Sequence, residues 1–236
     1  MKRKRFAEVA AVSSILYIGI LLLASCTAPR PRPVLQHGDL LFNVGRDGAV
    51  TQAIARATST GEDIPYTHVG IVEIDGSDTS VIEAISRGVV RTPLREFLER
   101  AACADGHPLV TAGRVRPEYR RLVPQAVRWA ASRIGAPYDS TFLSGNRAYY
   151  CSELVYEAFQ QAAGREVFRS KPMTFRDLST GEFPRGWVDY FASRGVEIPE
   201  GEPGTNPADM SRDPAVELIH HYFTPAAPEH ENPTDK

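Results

Sequence analysis

Apolar residues recur along the chain with two periods, one typical of strands and one typical of helices. Residues 67–74 and 79–85 are apolar and β-branched, and residues 75–78 between them favour a turn, so this stretch predicts an antiparallel hairpin. Further strands are predicted at 39–42, 88–91 and 109–115. Helical spacing is found at 48–58, 94–103, 124–134 and 151–163. Thr92 suits the N-cap of the second of these helices, with Pro93 at its first position.

The last of these predicted helices begins with a cysteine, in the sequence Tyr150-Cys151-Ser152. Its apolar residues recur every three or four positions, and Gly164 follows as a stop signal. A thiol at a helix N-terminus lies at the positive end of the macrodipole, which favours the nucleophilic thiolate. Cys151 is therefore a candidate catalytic nucleophile. The alternative is a small buried residue of the core, the commoner role of a helical cysteine.

The N-terminal residues have the pattern of an export signal. A basic segment at 2–5 precedes an apolar run at 9–24, and the run ends in Leu23-Ala24-Ser25-Cys26. This ending resembles the lipobox of bacterial lipoproteins. The resemblance implies cleavage before Cys26 and acylation of that residue, so that acyl chains hold the protein on a membrane. The alternatives are an ordinary signal peptide or an uncleaved anchor.

Four segments are expected on this interpretation. Residues 1–25 form the lipoprotein signal peptide, 26–36 the lipidated N-terminus and a stiff tether rich in proline and arginine, and 37–195 the folded domain. Residues 196–236 are rich in proline, glycine and charge, and we expect them to be largely irregular. The protein would lie on the periplasmic side of a cell membrane, and Thr27 favours the outer membrane if the source is Gram-negative.

The charge and motif content of the chain argue against several classes of function. Removal of residues 1–25, which carry four basic residues and one acidic residue, changes the formal charge from −2 to −5. With no cluster of Lys and Arg in the remaining domain, a nucleic-acid partner is not expected. The pair His220-His221 lacks further ligands at recognisable spacing, so no metal is predicted. No cofactor is predicted either, since the exported part has no Gly-rich phosphate loop.

Two cysteines remain in the exported domain, Cys103 and Cys151. A disulfide between them is conceivable in an oxidising compartment and would abolish the nucleophile. Their distinct sequence surroundings favour two free thiols. The sequence leaves this question open.

The predicted hairpin offers a base and an orienting acid. If residues 75–78 form a four-residue loop, Ile74 faces Thr79, and His68 then faces Ile85 with Glu83 as its diagonal neighbour on the same face. A loop longer or shorter by one residue would move Glu83 to the other face. A carboxylate inside an apolar strand calls for a partner. The alternative is that His68 is a structural histidine whose hydrogen bonds are satisfied in the core.

Five segments together resemble the YiiX/YebB-like cysteine hydrolases of the NlpC-type papain-like superfamily. They are residues 38–42, 65–72, 81–84, 135–139 and 150–155. The resemblance extends over residues 38–187. Here the histidine precedes the cysteine, the order of the circularly permuted branch of that superfamily. The resemblance implies an α+β fold, a circularly permuted papain-like fold whose antiparallel sheet packs against helices that include the nucleophile helix.

The same resemblance implies a catalytic triad, with Cys151 as nucleophile, His68 as base and Glu83 as orienting acid. The backbone N–H of Cys151 would bind the oxyanion, and Tyr66 and Ser152 are further oxyanion or substrate candidates, although Tyr66 would also suit a strand edge.

Three functions remain open at this point. The first is an amidase or endopeptidase acting on cell-wall peptides. The second is a thioesterase or acyltransferase acting on a lipid-derived substrate, and the third is a non-catalytic binding protein, against which the intact Cys/His/Glu set argues.

Overall fold

The computed structural model describes residues 34–224, apart from residues 46, 60 and 62. The predicted signal peptide, Cys26 and residues 225–236 lie outside the described residues. Within the described part, no helix is both long enough and apolar enough to cross a membrane.

A six-stranded sheet forms the centre of the fold, and every neighbouring pair of strands in it is antiparallel. Its order is β4-β3-β2-β1-β5-β8. The strands are β1 (Leu40–Asn43), β2 (His68–Asp75), β3 (Asp78–Ile85), β4 (Gly88–Pro93), β5 (Val110–Val115) and β8 (Val216–His221). Two short strands, β6 (Lys171–Pro172) and β7 (Pro203–Gly204), pair separately.

Helices cover both faces of this sheet, which confirms the expected α+β fold. They are α1 (Ala49–Thr58), α2 (Leu94–Arg100), α3 (Val123–Ala131), α4 (Cys151–Ala163), α5 (Arg185–Ala192) and α6 (Pro207–Ser211), with a 3₁₀ turn at Pro117–Leu122 before α3.

Successive side chains of a strand point to opposite faces of the sheet, which explains how both faces of this sheet are buried. Leu40 and Phe42 point to the face covered by α3 and α4, the main core. Leu41 and Val72 point to the opposite face, where Phe97 of α2 covers them. Each strand of the centre therefore carries apolar residues at consecutive positions, as the near-continuous apolar runs of the sequence indicate.

The predicted hairpin register is confirmed. Ile74 pairs with Thr79, and Asp75 pairs with Asp78 in turn, so the loop itself is only two residues long. Gly76 takes a φ of 58°, as the first turn position of a tight hairpin requires. The predicted four-residue loop after Ile74 and the observed two-residue loop after Asp75 both pair Ile74 with Thr79. The register is therefore the same, and Glu83 lies on the predicted face of the sheet.

Thr92 does not cap α2 as predicted. Pro93 occupies the N-cap position, and the Thr92 hydroxyl donates instead to Glu83 at 2.6 Å. A buried carboxylate accepts this hydrogen bond, and such a charge-assisted bond is stronger than a cap to a neutral amide.

The expectation of a largely irregular C-terminal segment is wrong for residues 196–224. This part forms β7, α6 and β8, and β8 extends the central sheet along β5. Met210, Ala215 and Val216 are buried against the main core. The proline, glycine and charge of the segment concealed these few apolar anchors, which are spaced too irregularly to show a period.

A packing test follows for this segment. Met210 is 3 % exposed, so Met210→Ala should lower the free energy of unfolding by about 2–5 kcal/mol through lost burial and a residual cavity. Leu218→Ala, at a side chain 39 % exposed on β8, is the control and should cost clearly less. Urea denaturation monitored by circular dichroism measures both. Equal, small effects would mean that the segment does not belong to the folded core.

Candidate active site

Cys151 is the first residue of α4 and is 8 % exposed. The first hydrogen bond of the helix runs from the N–H of Leu154 to the carbonyl of Tyr150, so the N–H groups of Cys151 and Ser152 point out of the helix end. Glu153 accepts a hydrogen bond from the N–H of Tyr150 at 3.3 Å and so fixes the start of the helix. Gly164 ends it in the left-handed conformation predicted for the stop.

His68, the first residue of β2, lies between Cys151 and Glu83. Its Nε2 is 2.6 Å from Oε2 of Glu83, and it also shares a hydrogen bond with the thiol of Cys151. Nε2 of His68 is thus engaged by Glu83, while the ring also contacts the Cys151 thiol. The order Cys–His–Glu is that of a nucleophile, a base and a group that orients the base.

The surroundings of His68 favour its charged form. Burial by itself would lower the pKa of His68, but hydrogen bonds to Cys151 and Glu83 and the charges of both outweigh it and raise the pKa to about 9. His68 can therefore hold a proton, and with it a positive charge, beside the Cys151 thiol.

Glu83 is fully buried on β3, and its carboxylate has three donors in addition to the apolar strand around it. Beyond His68, it accepts hydrogen bonds from Thr92 at 2.6 Å and from Arg100 at 2.5 and 2.6 Å. Burial would raise the pKa of Glu83, yet these partners, His68 foremost, lower it to about 2. The carboxylate is thus ionised at neutral pH.

Gly70 makes room for this carboxylate on the adjacent strand. A Cβ at Gly70 would lie 2.4 Å from Cγ1 of Val81 and 3.2 Å from Cβ of Glu83. A side chain at residue 70 would therefore push apart β2 and β3 where His68 and Glu83 must meet.

Cys151 and His68 open onto a cleft of about 910 Å³. One side of it is formed by an aromatic cluster of Phe142, Tyr150, Phe175 and Trp187 together with Phe191, of which the first four line the cleft. Charged residues also line the cleft, namely Asp47, Arg87, Arg100 and Arg194.

Tyr66 lies away from this cleft. It is 2 % exposed, its ring packs 5.5 Å from that of Phe42, and its hydroxyl donates to Thr111 at 2.6 Å. Burial raises the pKa of Tyr66 to about 12. The strand begins at His68, so the alternation assumed for residue 66 does not apply there, and the structure does not bring Tyr66 to the catalytic group.

Ser152 does line the cleft, but its hydroxyl is already engaged. It is fully buried and donates to the carbonyl oxygen of Thr205 at 3.1 Å. Of Ser152, the backbone N–H at the helix end is the group available to a substrate oxyanion.

Three residues that support the group formed by Cys151, His68 and Glu83 had no sequence signal for this role. Arg100 and Thr92 bind Glu83, and Thr205 contacts the residues that flank Cys151. Thr92 had been assigned to a cap, and Thr205 lies in the segment expected to be irregular. Arg100 looked like an ordinary charged residue near the end of a surface helix.

The two cysteines of the described domain are both free. The Cys103 thiol donates to Asp105 and to the carbonyl of His107 in its own loop. No disulfide therefore blocks Cys151 in this structure. Among residues 34–224 as described, no group of three or more His, Cys, Asp or Glu side chains could hold a metal ion.

In this site a cysteine begins a helix and is hydrogen-bonded to a histidine that an acid orients on an antiparallel sheet. The histidine precedes the cysteine in the chain. Together these features define a permuted papain-like cysteine hydrolase. Residues 34–220 match the family of permuted papain-like amidase enzymes described as YaeF/YiiX, C92 family. The chain belongs to this family.

Two relatives in Escherichia coli support the assignment. The uncharacterized protein YiiX of strain K12 is 28 % identical over 205 residues, 87 % of this chain and 94 % of YiiX. A crystal structure from O157:H7, described as metalloprotein yiiX, is 26 % identical with a TM-score of 0.64, and the match covers 79 % of this chain and 97 % of that one.

The charge relations predict a pH profile. If the imidazolium of His68 supplies the proton to the leaving group, kcat/KM should fall as pH rises through about 9. Glu83→Gln removes a charge that stabilises the imidazolium, so this falling limb should move to lower pH by about one unit or more, with a lower maximum. Steady-state rates between pH 5 and about 10 test this.

Glu73→Gln serves as the control, because Glu73 lies on the same hairpin but pairs with the half-exposed Arg91. Its profile should match that of the unaltered protein. A Glu83→Gln profile that also superimposes would remove Glu83 from the catalytic group.

Proposed function

We propose that this protein is a cysteine amidase that cleaves peptide amides of the bacterial cell wall through an acyl-enzyme on Cys151, and that acyl chains on Cys26 hold it at the membrane. The observation that carries the catalytic part is the hydrogen-bonded chain Cys151–His68–Glu83 at the edge of a large cleft. Membership of a permuted papain-like amidase family supports the reaction class.

In the first half of the reaction, the Cys151 thiolate attacks the carbonyl carbon of the amide. The carbon–oxygen π electrons move to oxygen, and the N–H groups at the start of α4 stabilise that oxyanion. The imidazolium of His68 then gives its proton to the amide nitrogen as the carbon–nitrogen bond breaks. An amine leaves, and a thioester on Cys151 remains.

In the second half, neutral His68 takes a proton from water, and the hydroxide attacks the thioester carbonyl. Collapse of this intermediate breaks the carbon–sulfur bond, releases a carboxylic acid and restores the thiolate–imidazolium pair. Glu83 keeps its charge throughout, because its pKa lies near 2 and Arg100 remains bound to it. Its role is to hold the imidazole and to stabilise the imidazolium.

The location rests on the sequence of the N-terminus. An export signal that ends in Leu23-Ala24-Ser25-Cys26 would deliver the domain to the periplasmic side of a membrane, and two or three acyl chains give stable attachment. An amidase held there has cell-wall peptides within reach. The outer membrane is the favoured site in a Gram-negative source.

A second function is favoured by the aromatic cluster on one side of the cleft. Phe142, Phe175 and Trp187 offer apolar surface that would also suit an acyl chain. The same acyl-enzyme chemistry would then make the protein a thioesterase or acyltransferase on lipid-derived substrates.

The amidase proposal is tested with purified muropeptides. The protein should release new amines from them, and Cys151→Ala should abolish the release, since removal of an essential nucleophile costs on the order of 10⁶ in kcat. Amine derivatisation with mass spectrometry of the products measures both. Cys103→Ala is the matched control and should keep full activity, because Cys103 lies in a separate loop.

Turnover by Cys151→Ala would refute catalysis by this thiol. If muropeptides stay intact while long-chain acyl thioesters leave an acyl mass shift on Cys151 of a His68→Ala variant, the lipid function replaces the amidase.

Lipid attachment has a separate test. Cells that express the full chain should incorporate radiolabelled palmitate into it, and Cys26→Ser should abolish both the label and recovery with membranes. Cys103→Ser should leave both unchanged. Label that persists in Cys26→Ser would show that the N-terminal pattern was misinterpreted.

A further inference from the structure

Buried polar atoms without partners are concentrated at the cleft. Five such side-chain atoms occur among the described residues, and three belong to residues that line the cleft: Oδ1 of Asn43, Nε1 of Trp187 and Oγ1 of Thr205. Polar groups withdrawn from water without a hydrogen bond destabilise a protein, so each calls for an explanation. A bound ligand that supplies the missing hydrogen-bond partners is one such explanation.

Thr205 lies beside the nucleophile. Its N–H donates to the hydroxyl of Tyr150 at 3.2 Å, and its carbonyl accepts from the hydroxyl of Ser152 at 3.1 Å, so its backbone holds the two residues that flank Cys151. Gly204 permits this approach, because a Cβ there would lie 2.8 Å from the Tyr150 hydroxyl. The backbone of Thr205 is thus fully engaged, while its own hydroxyl, which lies near the hydroxyl of Tyr150, has no partner of good hydrogen-bond geometry in the described structure.

Asn43 lies beside the base. It is the last residue of β1 and pairs directly with His68 of β2, so the two side chains point to the same face of the sheet. Asn43 is 7 % exposed, and its Oδ1 lacks a partner within the described part of the chain. A carboxamide at this position neighbours His68 without competing for its nitrogen atoms, which Glu83 and Cys151 occupy.

We propose that Asn43 and Thr205 are substrate-binding residues that hydrogen-bond the substrate on the two sides of the Cys151–His68 pair. The proposal rests on the proposed function and specifies what the substrate must carry near its scissile bond. A carboxamide and a hydroxyl pair with the alternating N–H and C=O groups of a peptide, whereas a hydrocarbon chain offers them nothing. Both residues line the cleft, which places their side chains beside a ligand bound there.

The experiment compares two reagents that modify Cys151. A short peptide nitrile carries backbone amides next to its electrophilic carbon, whereas methyl methanethiosulfonate carries none. The variants are Asn43→Leu and Thr205→Val, which keep the shape of each side chain and remove its polar atoms. The backbone bonds of Thr205 to Tyr150 and Ser152 persist in Thr205→Val.

The rate of the nitrile should fall about tenfold in each variant, the size expected when a binding group loses its hydrogen bonds. The rate of the thiosulfonate should be unchanged, and Thr205→Ser should recover the nitrile rate. Melting temperatures should stay equal or rise, because the atoms removed had no partner. Thr180→Val, at an exposed threonine outside the cleft, is the control for both reagents.

Two outcomes would overturn the proposal. If both reagents slow together, these residues shape the nucleophile and do not bind substrate; if neither slows, they make no contact. Mass shifts on Cys151 report these rates without any amide turnover. A failure of the amidase function would therefore appear separately, as intact muropeptides in the presence of the unaltered protein.

Discussion

The negative charge of Glu83, buried inside the sheet, is the constraint on which the site depends. An unpaired carboxylate at this depth would cost several kcal/mol, and removal of one partner from such a group typically destabilises by about 3–5 kcal/mol. Three donors from three elements meet this charge: His68 of β2, Thr92 of β4 and Arg100 of α2. The charge therefore fixes the relative positions of the hairpin, its third strand and α2, and in doing so it orients the imidazole of His68.

The local part of this arrangement could be predicted from the sequence. The turn residues at 75–78 set the register of β2 and β3, and the period of two then places His68 and Glu83 on one face. The helix that begins with Cys151 was visible in the spacing of its apolar residues and in Gly164. These inferences succeeded because each depends on neighbours in the sequence or on one short connection.

The contacts that join distant segments could not be predicted in this way. Arg100 is 17 residues from Glu83, and Thr205 is 53 residues from Ser152. Neither distance leaves a period or a turn signal in the sequence. The error at Tyr66 has a different cause. The alternation of side chains along a strand was assumed for residue 66, which lies two residues before the start of β2. Sequence patterns therefore indicated the candidate residues Cys151, His68 and Glu83, while the residues that support them required the tertiary structure.

A second buried carboxyl lies two residues from the nucleophile, and its ionisation must differ from that of Glu83. Burial, with the charge of Asp139 in addition, raises the pKa of Glu153 to about 8 despite its hydrogen bond from the N–H of Tyr150. Glu153 is consequently protonated at neutral pH and places no negative charge next to Cys151. The two glutamates have opposite environments: cationic and hydroxyl donors surround Glu83, whereas Glu153 lies at a buried helix end and has no ion pair with any described residue. Glu83 therefore stays charged and stabilises the imidazolium of His68, whereas the neutral Glu153 adds no negative charge of its own at the start of α4.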